Sequence, residues 1–352
     1  MIPIRNIYYM LSYAFRVLNE QGYKSIETEE FHNVADLCAA IIAKGVSLQL
    51  KRGLGKEYLT ETEPLTSPRG KIDISASIKN LSTINGQLVC TYDEFSVNSY
   101  INRILKTTME WLLKSKITSE RKKALRKLLV FFGEVDTLDI HNINWQIQYN
   151  RNNQTYRMLI SICYMVLKGL LQTKSDGSTK LMDFLDDQHM HRLYEKFILE
   201  YYRKEFPDIK ASAAQIPWQL DNEFNDMLPV MQSDITLYNG MRTLIIDAKY
   251  YGHSLQQQYD STSAISGNLY QIFTYVKNFE GSLSDKPHYS VSGMLLYAQT
   301  NTEGEFEKEY RMSGNIICVR TLDLSGDFST IRMQLDSIAT KYLYGDTAYD
   351  SH

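Results

Sequence analysis

The stretch Met231-Gln-Ser-Asp-Ile-Thr-Leu-Tyr-Asn-Gly-Met-Arg-Thr-Leu-Ile-Ile-Asp-Ala-Lys-Tyr-Tyr251 decides the fold of the second half of the chain, because it predicts two strands joined by a turn. Asn239-Gly240 is the strongest short-range signal for a two-residue type I′ turn. With these two residues as the loop, Tyr238 faces Met241 and Asp234 faces Ile245. We therefore predict a β-hairpin of this register.

Side chains alternate along a strand, so this hairpin places Asp234, Asp247 and Lys249 on one face. The other face carries the apolar core residues Leu244, Ile246 and Ala248. Two carboxylates beside an ammonium suit a Mg²⁺ site for phosphodiester hydrolysis, since hard oxygen ligands hold the ion while phosphate and water complete its shell. We predict that the two aspartates and the Ala248 carbonyl bind the metal, and that Lys249 acts on the water or phosphate. The alternative for a D-x-K motif is a solvated strand face.

Length and charge limit what this site can do alone. The chain has 352 residues, enough for two domains, with 43% hydrophobic and 22% charged residues, as in ordinary globular proteins. Its net charge of −3 gives no general attraction to polyanions. Affinity for nucleic acid must therefore come from local patches, a metal site or a partner.

Several other classes of protein are disfavoured by the sequence. The four cysteines are far apart and form no C-x-x-C pair, which argues against a zinc ribbon or a disulfide framework. No G-x-x-x-x-G-K-[ST] motif occurs, so we do not expect this chain to bind a nucleotide. The start lacks a secretion signal, and no segment approaches the roughly 18 to 20 apolar residues of a membrane span. We expect a cytoplasmic protein without a membrane segment.

Periodicity predicts two domains of different composition. The polar, turn-rich stretch Lys174-Ser-Asp-Gly-Ser-Thr179 separates an N-terminal α+β domain at 1–175 from an α/β domain at 176–352. In the second domain a helix precedes the hairpin, and a helix, two strands and a last helix follow it. These segments are about 188–206, 267–278, 293–298, 315–320 and 328–343. This order predicts an α/β fold in which helices flank a mixed sheet.

Three further side chains of the second domain are candidates for the site. Glu195, on the helix before the hairpin, could reach the metal directly or through water; the alternative is a surface ion pair with Arg192 or Lys196. Gln271 and Tyr275 are four residues apart and share a helix face, from which they could orient the lysine or touch DNA. Spacing alone favours a core tyrosine with an incidental glutamine.

Two other groups were weighed for different roles. Arg69 and Lys71 in Pro68-Arg-Gly-Lys-Ile-Asp73 form a cationic loop tip suited to contacting another protein. His189 and His191 are two residues apart, which places them on different faces of a helix, so we do not predict a zinc site there.

The opening segment Ile2-Pro-Ile-Arg-Asn-Ile-Tyr-Tyr-Met-Leu-Ser-Tyr-Ala-Phe15, with Ser233-Asp234 and Ile246-Asp-Ala-Lys-Tyr-Tyr251, resembles the McrC family, the nuclease subunits of McrBC modified-cytosine (type IV) restriction systems. The likeness includes the Asn102-Arg103 and Asn268-Leu-Tyr-Gln271 segments. It implies a PD-(D/E)xK endonuclease in the second half of the chain. The residues that it implies for catalysis are Asp234, Asp247, Lys249 and, as an addition, Glu195. Ser233 stands where this superfamily often has proline.

The resemblance also implies a partner. The N-terminal half would dock onto a hexameric AAA+ ring of McrB-type GTPase, through Arg69 and Lys71 among others, and would stimulate GTP hydrolysis. That partner would bind GTP and recognise 5-methylcytosine in double-stranded DNA, as a defence against phage. Two alternatives stay open, namely a non-catalytic activator of a ring NTPase and a stand-alone PD-(D/E)xK nuclease.

Overall fold

The chain forms two compact units in the computed structural model. The structure describes residues 2–19, 23–27, 29–149, 153–172, 187–221, 227–250, 262–283, 289–299 and 306–345. Unit 1 comprises Met1–Glu20 and Leu185–His352, and unit 2 comprises Gln21–Phe184. The predicted domains differ from these units in one respect, because the first twenty residues group with the C-terminal half and not with the N-terminal one. The predicted boundary at 175/176 lies outside the described residues.

The elements follow in chain order. The helices are α1 (Ile4–Ala14), α2 (Lys24–Glu27), α3 (Val34–Arg52), α4 (Ile74–Lys79), α5 (Tyr100–Lys114), α6 (Ser119–Leu129), α7 (Arg157–Gln172), α8 (Asp187–Glu205), α9 (Thr262–Gly281) and α10 (Phe328–Ala339), which a π-helical turn at Thr340–Tyr344 follows. The strands are β1 (Glu57–Leu65), β2 (Lys71–Asp73), β3 (Leu88–Ser96), β4 (Lys210–Ser212), β5 (Gln215–Ile216), β6 (Met231–Gln232), β7 (Ile235–Tyr238), β8 (Arg242–Lys249), β9 (Ser290–Gln299), β10 (Glu307–Met312) and β11 (Asn315–Asp323).

Unit 2 combines packed helices with a small antiparallel sheet of order β1-β3-β2. Its helices α3, α5 and α6 begin where a side chain accepts a hydrogen bond from the first turn, at Asn33, Ser99 and Thr118. These helices and α7 contact one another. Several apolar side chains of the sheet and of α4 are exposed, among them Tyr58, Ile72, Ile74, Ile78 and Phe95.

Unit 1 is built on a six-stranded mixed sheet of order β10-β11-β9-β8-β7-β4. The strands β8, β9 and β11 are parallel, and the other pairings are antiparallel. The central strands are buried along most of their length, as apolar runs in parallel strands usually are. The predicted α/β fold is therefore confirmed. The sequence analysis missed β10, because this edge strand carries mainly charged, exposed residues.

Helices pack against this sheet and close its core. From α9, Ile272 and Val276 join Ile245, Leu295 and Ile317 in one hydrophobic cluster. Helix α8 contacts β4, β7 and β8, and α10 contacts β11. Within the described part of the chain, no helix is both long and apolar enough to cross a membrane.

The opening segment is a structural part of unit 1. Helix α1 packs on α8, and the Tyr13 hydroxyl donates a hydrogen bond to Glu205 Oε1 at 2.7 Å. The buried Asn6 side chain donates to the Leu324 carbonyl at 2.9 Å and to the Gly326 carbonyl at 2.7 Å. The motif at the start of the chain therefore stabilises the unit that also contains β8.

The hairpin turn differs from the prediction. Tyr238 pairs with Thr243 and not with Met241, so the loop has four residues where two were predicted. The reason is the Asn239 side chain, whose Oδ1 accepts hydrogen bonds from Met241 N at 3.2 Å and Arg242 N at 2.9 Å. The predicted register is therefore wrong by two residues. A shift of two preserves side-chain alternation, so the predicted faces are unchanged.

Candidate active site

The hairpin brings the two aspartates and the lysine together. Continuing the observed register by one pair from Ile235 and Ile246 sets Asp234 beside Asp247. Lys249 Nζ donates a hydrogen bond to Asp247 Oδ1 at 3.1 Å and lies 2.9 Å from Oδ2. The backbone N–H of Ala248 donates to Asp234 Oδ2 at 2.9 Å. Asp247 is only 2% exposed, which rules out a solvated strand face for the motif.

One carboxylate oxygen of this group lacks a hydrogen bond. Asp247 Oδ2 is buried and has no hydrogen-bond partner within the described residues, although the Lys249 ammonium is close. Buried oxygens without a hydrogen bond are costly and are concentrated at functional sites. A divalent cation would satisfy this oxygen, so the residues present fit a metal ion.

Electrostatics support the same conclusion. Burial raises the pKa of Asp234 to about 7, and the negative charges of Asp247 and Glu195 raise it further. The Ala248 N–H and the Lys249 charge act in the opposite direction. Three carboxylates near one point repel each other, and a bound cation reverses this effect.

Glu195 reaches this cluster from α8. Its Oε1 lies 2.9 Å from Nε2 of His191, one helical turn earlier. His191 Nδ1 in turn accepts a hydrogen bond from Tyr250 N at 3.2 Å. The hydrogen bond to Glu195 raises the pKa of His191, and the Glu195 and Asp234 charges add to the increase. Sequence reasoning missed His191, although its spacing of four from Glu195 was a usable signal.

The predicted secondary pair lies in a more apolar setting. Gln271 Nε2 donates a hydrogen bond to the Tyr275 hydroxyl at 2.9 Å. Tyr275 belongs to the hydrophobic cluster under α9. Within the described residues, no hydrogen bond links this pair to Asp247 or Lys249. Their role at the site and that of the Ala248 carbonyl stay predictions.

A closer contact of α9 with the site is made by Asn268. Its Nδ2 donates a hydrogen bond to the Tyr297 hydroxyl at 3.0 Å. Tyr297 is the residue of β9 that pairs with Lys249 of β8. Sequence reasoning had no means of finding this contact, because it depends on the register of two strands distant in sequence.

The predicted partner-contact residues lie in unit 2. The Arg69 guanidinium stacks 3.5 Å from the centroid of the Tyr92 ring and forms an ion pair with Glu94 at 3.3 Å. Lys71 is exposed on β2, where it pairs with Thr91. Arg69 is therefore held in place on the exposed sheet.

A second group of possible ligands, Glu307, Glu309 and Cys318, is already neutralised. Lys341 Nζ lies 2.9 Å from a Glu307 oxygen and 2.7 Å from a Glu309 oxygen. Burial raises the pKa of the Cys318 thiol to about 11, so it stays protonated at neutral pH. These contacts describe an ion-pair network and not a metal site.

Comparisons with known proteins agree with the arrangement of this site. The chain is 28% identical over 348 residues to the type IV methyl-directed restriction enzyme EcoKMcrBC of Escherichia coli (strain K12), covering 97% of this chain and 98% of that protein. A chain from the half-complex of Thermococcus gammatolerans McrB AAA+ hexamers with bound McrC has the same fold at a TM-score of 0.50 and 18% identity, over 96% of this chain and 76% of that one. A chain of the Thermococcus gammatolerans McrBC complex matches 76% of this chain and 70% of its own length, at a TM-score of 0.40 and 14% identity.

The resemblance stated from the sequence motifs is confirmed over most of the chain. The family model described as McrBC 5-methylcytosine restriction system component matches residues 4–298, which include α1 and all of the hairpin. The chain therefore belongs to the family of McrBC 5-methylcytosine restriction system components.

Proposed function

We propose that this chain is the endonuclease subunit of a GTP-dependent, modified-cytosine restriction complex in the cytoplasm, and that it hydrolyses phosphodiester bonds of double-stranded DNA with Mg²⁺. The observation that carries the proposal is the buried Asp247 carboxylate, whose Oδ2 lacks a hydrogen bond beside Asp234 and Lys249. The E. coli relative is a type IV methyl-directed restriction enzyme, which agrees with DNA as the substrate.

The residues divide the work at this site. Asp234 and Asp247 hold the metal, with Glu195 as a third acidic group and the Ala248 carbonyl as a backbone ligand. When bound, Mg²⁺ polarises the scissile phosphate and lowers the pKa of a coordinated water. Lys249 keeps its ammonium at the edge of the site through the ion pair with Asp247, where it stabilises the charge on the phosphate or orients the water. Gln271 and Tyr275 are secondary.

We further propose that unit 2 docks onto an McrB-type hexameric AAA+ GTPase and stimulates it. The solved relative is an assembly of McrB hexamers with bound McrC. The sheet β1-β3-β2 provides an exposed surface with cations at Arg69 and Lys71 and apolar groups such as Tyr58 and Phe95. Such mixed patches are typical of protein contacts. The partner would bind GTP and read 5-methylcytosine, since this chain has a net charge of −3 and no nucleotide-binding motif.

The test is the variant Asp247→Asn, which preserves side-chain size but removes the charge. With the partner GTPase, GTP, Mg²⁺ and methylated DNA, we expect its cleavage rate to fall by at least about 1,000-fold, as losses of groups acting on the reacting phosphate do. Its stimulation of GTP turnover should match that of wild type. Asp327→Asn, at an exposed position of unit 1, is the control and should cleave normally.

The same assay separates the alternatives. Normal cleavage by Asp247→Asn would refute the assignment. Stimulated GTP turnover without cleavage, for wild type and Lys249→Ala alike, would identify a non-catalytic activator. Cleavage by the isolated wild-type chain with Mg²⁺ alone would identify a stand-alone nuclease.

A further inference from the structure

His191 lies between the two parts of the chain that form the candidate metal site. Its Nε2 is 2.9 Å from Glu195 Oε1, and its Nδ1 accepts the hydrogen bond of the Tyr250 backbone N–H at 3.2 Å. Tyr250 directly follows Lys249 at the end of β8. One imidazole therefore connects α8 to the strand that carries the D-x-K motif.

The two hydrogen bonds define the tautomer of the ring. A backbone N–H can only donate, so Nδ1 is the accepting nitrogen and has no hydrogen. The hydrogen of the neutral ring is then on Nε2, which points to the Glu195 carboxylate. The acceptor bond thus orients the ring, and the oriented ring donates to Glu195.

Glu195 needs such a support if it is to act near the metal. It projects from α8, whereas Asp234 and Asp247 are in and beside the sheet, and its side chain is 29% exposed. A glutamate of that exposure has several accessible rotamers, and fixing one of them costs side-chain entropy. Its negative charge raises the pKa of Asp234, so its present position is within electrostatic reach of the site.

We propose that His191 is a positioning residue of this nuclease, which holds the Glu195 carboxylate at the metal site by the hydrogen bond from Nε2 while Tyr250 N orients the ring. This inference rests on the proposed function. Carboxylates at metal sites are commonly held by such outer hydrogen bonds, and losing one typically costs about 10- to 100-fold in metal affinity or activity.

Two substitutions separate the two bonds of the ring. In His191→Asn the amide oxygen can occupy the position of Nδ1 and accept from Tyr250 N, but nothing reaches Glu195. In His191→Gln the longer side chain brings an N–H to the position of Nε2, so the donor to Glu195 is kept. We expect Mn²⁺ affinity of the full-length chain, measured by calorimetry without DNA, to fall about 10- to 100-fold in His191→Asn and His191→Ala. His191→Gln should stay within a few-fold of wild type.

Cleavage in the presence of the partner and GTP provides the second measurement. The Mg²⁺ concentration for half-maximal cleavage should rise in the same order as the Mn²⁺ dissociation constants. Arg192→Ala, the exposed neighbour on α8, is the matched control and should leave both quantities unchanged. Should His191→Ala fail to fold, the comparison of the glutamine and asparagine variants carries the test.

The outcomes separate this inference from the proposed function. Equal Mn²⁺ affinity in wild type, His191→Asn and His191→Gln would overturn the role of His191, and so would an equal loss in both variants. Asp247→Asn serves as the reference in the same calorimetry and should show no binding. If Asp247→Asn binds Mn²⁺ and cleaves as wild type does, the proposed function fails instead.

Discussion

At the residue scale, the crowding of carboxylates around Asp234 makes the metal-free protein sensitive to pH. Its pKa is about 7 in the folded chain, against an ordinary value of 3.8. Between these values the folded state keeps a proton that the unfolded state has released. The free energy of unfolding therefore falls as pH rises from about 4 to about 7.

We predict that Asp234→Asn removes most of this dependence. Asparagine can still accept the hydrogen bond of Ala248 N, but it does not titrate. Urea unfolding of wild type and variant in EDTA at pH 5 and pH 8 measures the effect. Wild type should lose more stability than the variant over this interval, and an equal loss in both would contradict the electrostatic explanation.

Residue types and their spacing were enough to predict much of this site. The faces of Asp234, Asp247 and Lys249 followed from alternation alone, and they survived an error of two residues in the register. The register itself was not predictable, because Asn239 Oδ1 captures two backbone N–H groups that a two-residue turn would use differently. The bond from Tyr250 N to His191 has no sequence pattern, since any residue can provide the N–H.

At the element scale, the fit of α9 on the sheet depends on a small residue in β9. A Cβ atom added at Gly293 would lie 2.8 Å from Ile272 Cγ1, 2.8 Å from Val276 Cγ2 and 3.0 Å from Ile317 Cδ1. All three side chains belong to the buried cluster, so they have little room to move. The order of elements was predictable from periodicity, whereas this close approach was not.

We predict that Gly293→Ala destabilises unit 1 by about 1–3 kcal/mol through overpacking, measured by chemical denaturation. The control is Gly267→Ala in α9, where an added Cβ meets nothing within 4 Å. That variant should be as stable as wild type or more stable by up to about 1 kcal/mol, because alanine favours a helix. A more stable Gly293→Ala variant would show that the core has space that the distances deny.

At the scale of the whole molecule, unit 1 is discontinuous in sequence. The ring of Tyr13 in α1 lies 5.7 Å from that of Phe197 and 5.3 Å from that of Tyr201, both in α8. Amphipathic periodicity predicted a helix at the start of the chain but gave no information about its partner. The first helix was therefore assigned to the wrong half.

We predict that residues 185–352 alone do not form a stable unit. Without α1, the buried aromatic side chains Phe197 and Tyr201 become exposed, and exposed apolar surface promotes association. The same segment joined to residues 1–20 by a long Gly/Ser linker should unfold cooperatively. Thermal unfolding and sedimentation compare the two, and identical melting of both would show that α1 is dispensable.

The position of α1 also has a consequence for biosynthesis. About 170 residues separate the end of α1 from the start of α8, so at 5–20 residues per second α1 leaves the ribosome about 10–30 s before α8 exists. Throughout that time its apolar side chains lack their native contacts. Unit 2, by contrast, is synthesised without interruption. The emerging polypeptide can therefore complete unit 2 well before the carboxylates and the lysine are assembled, which delays the nuclease centre until late in translation.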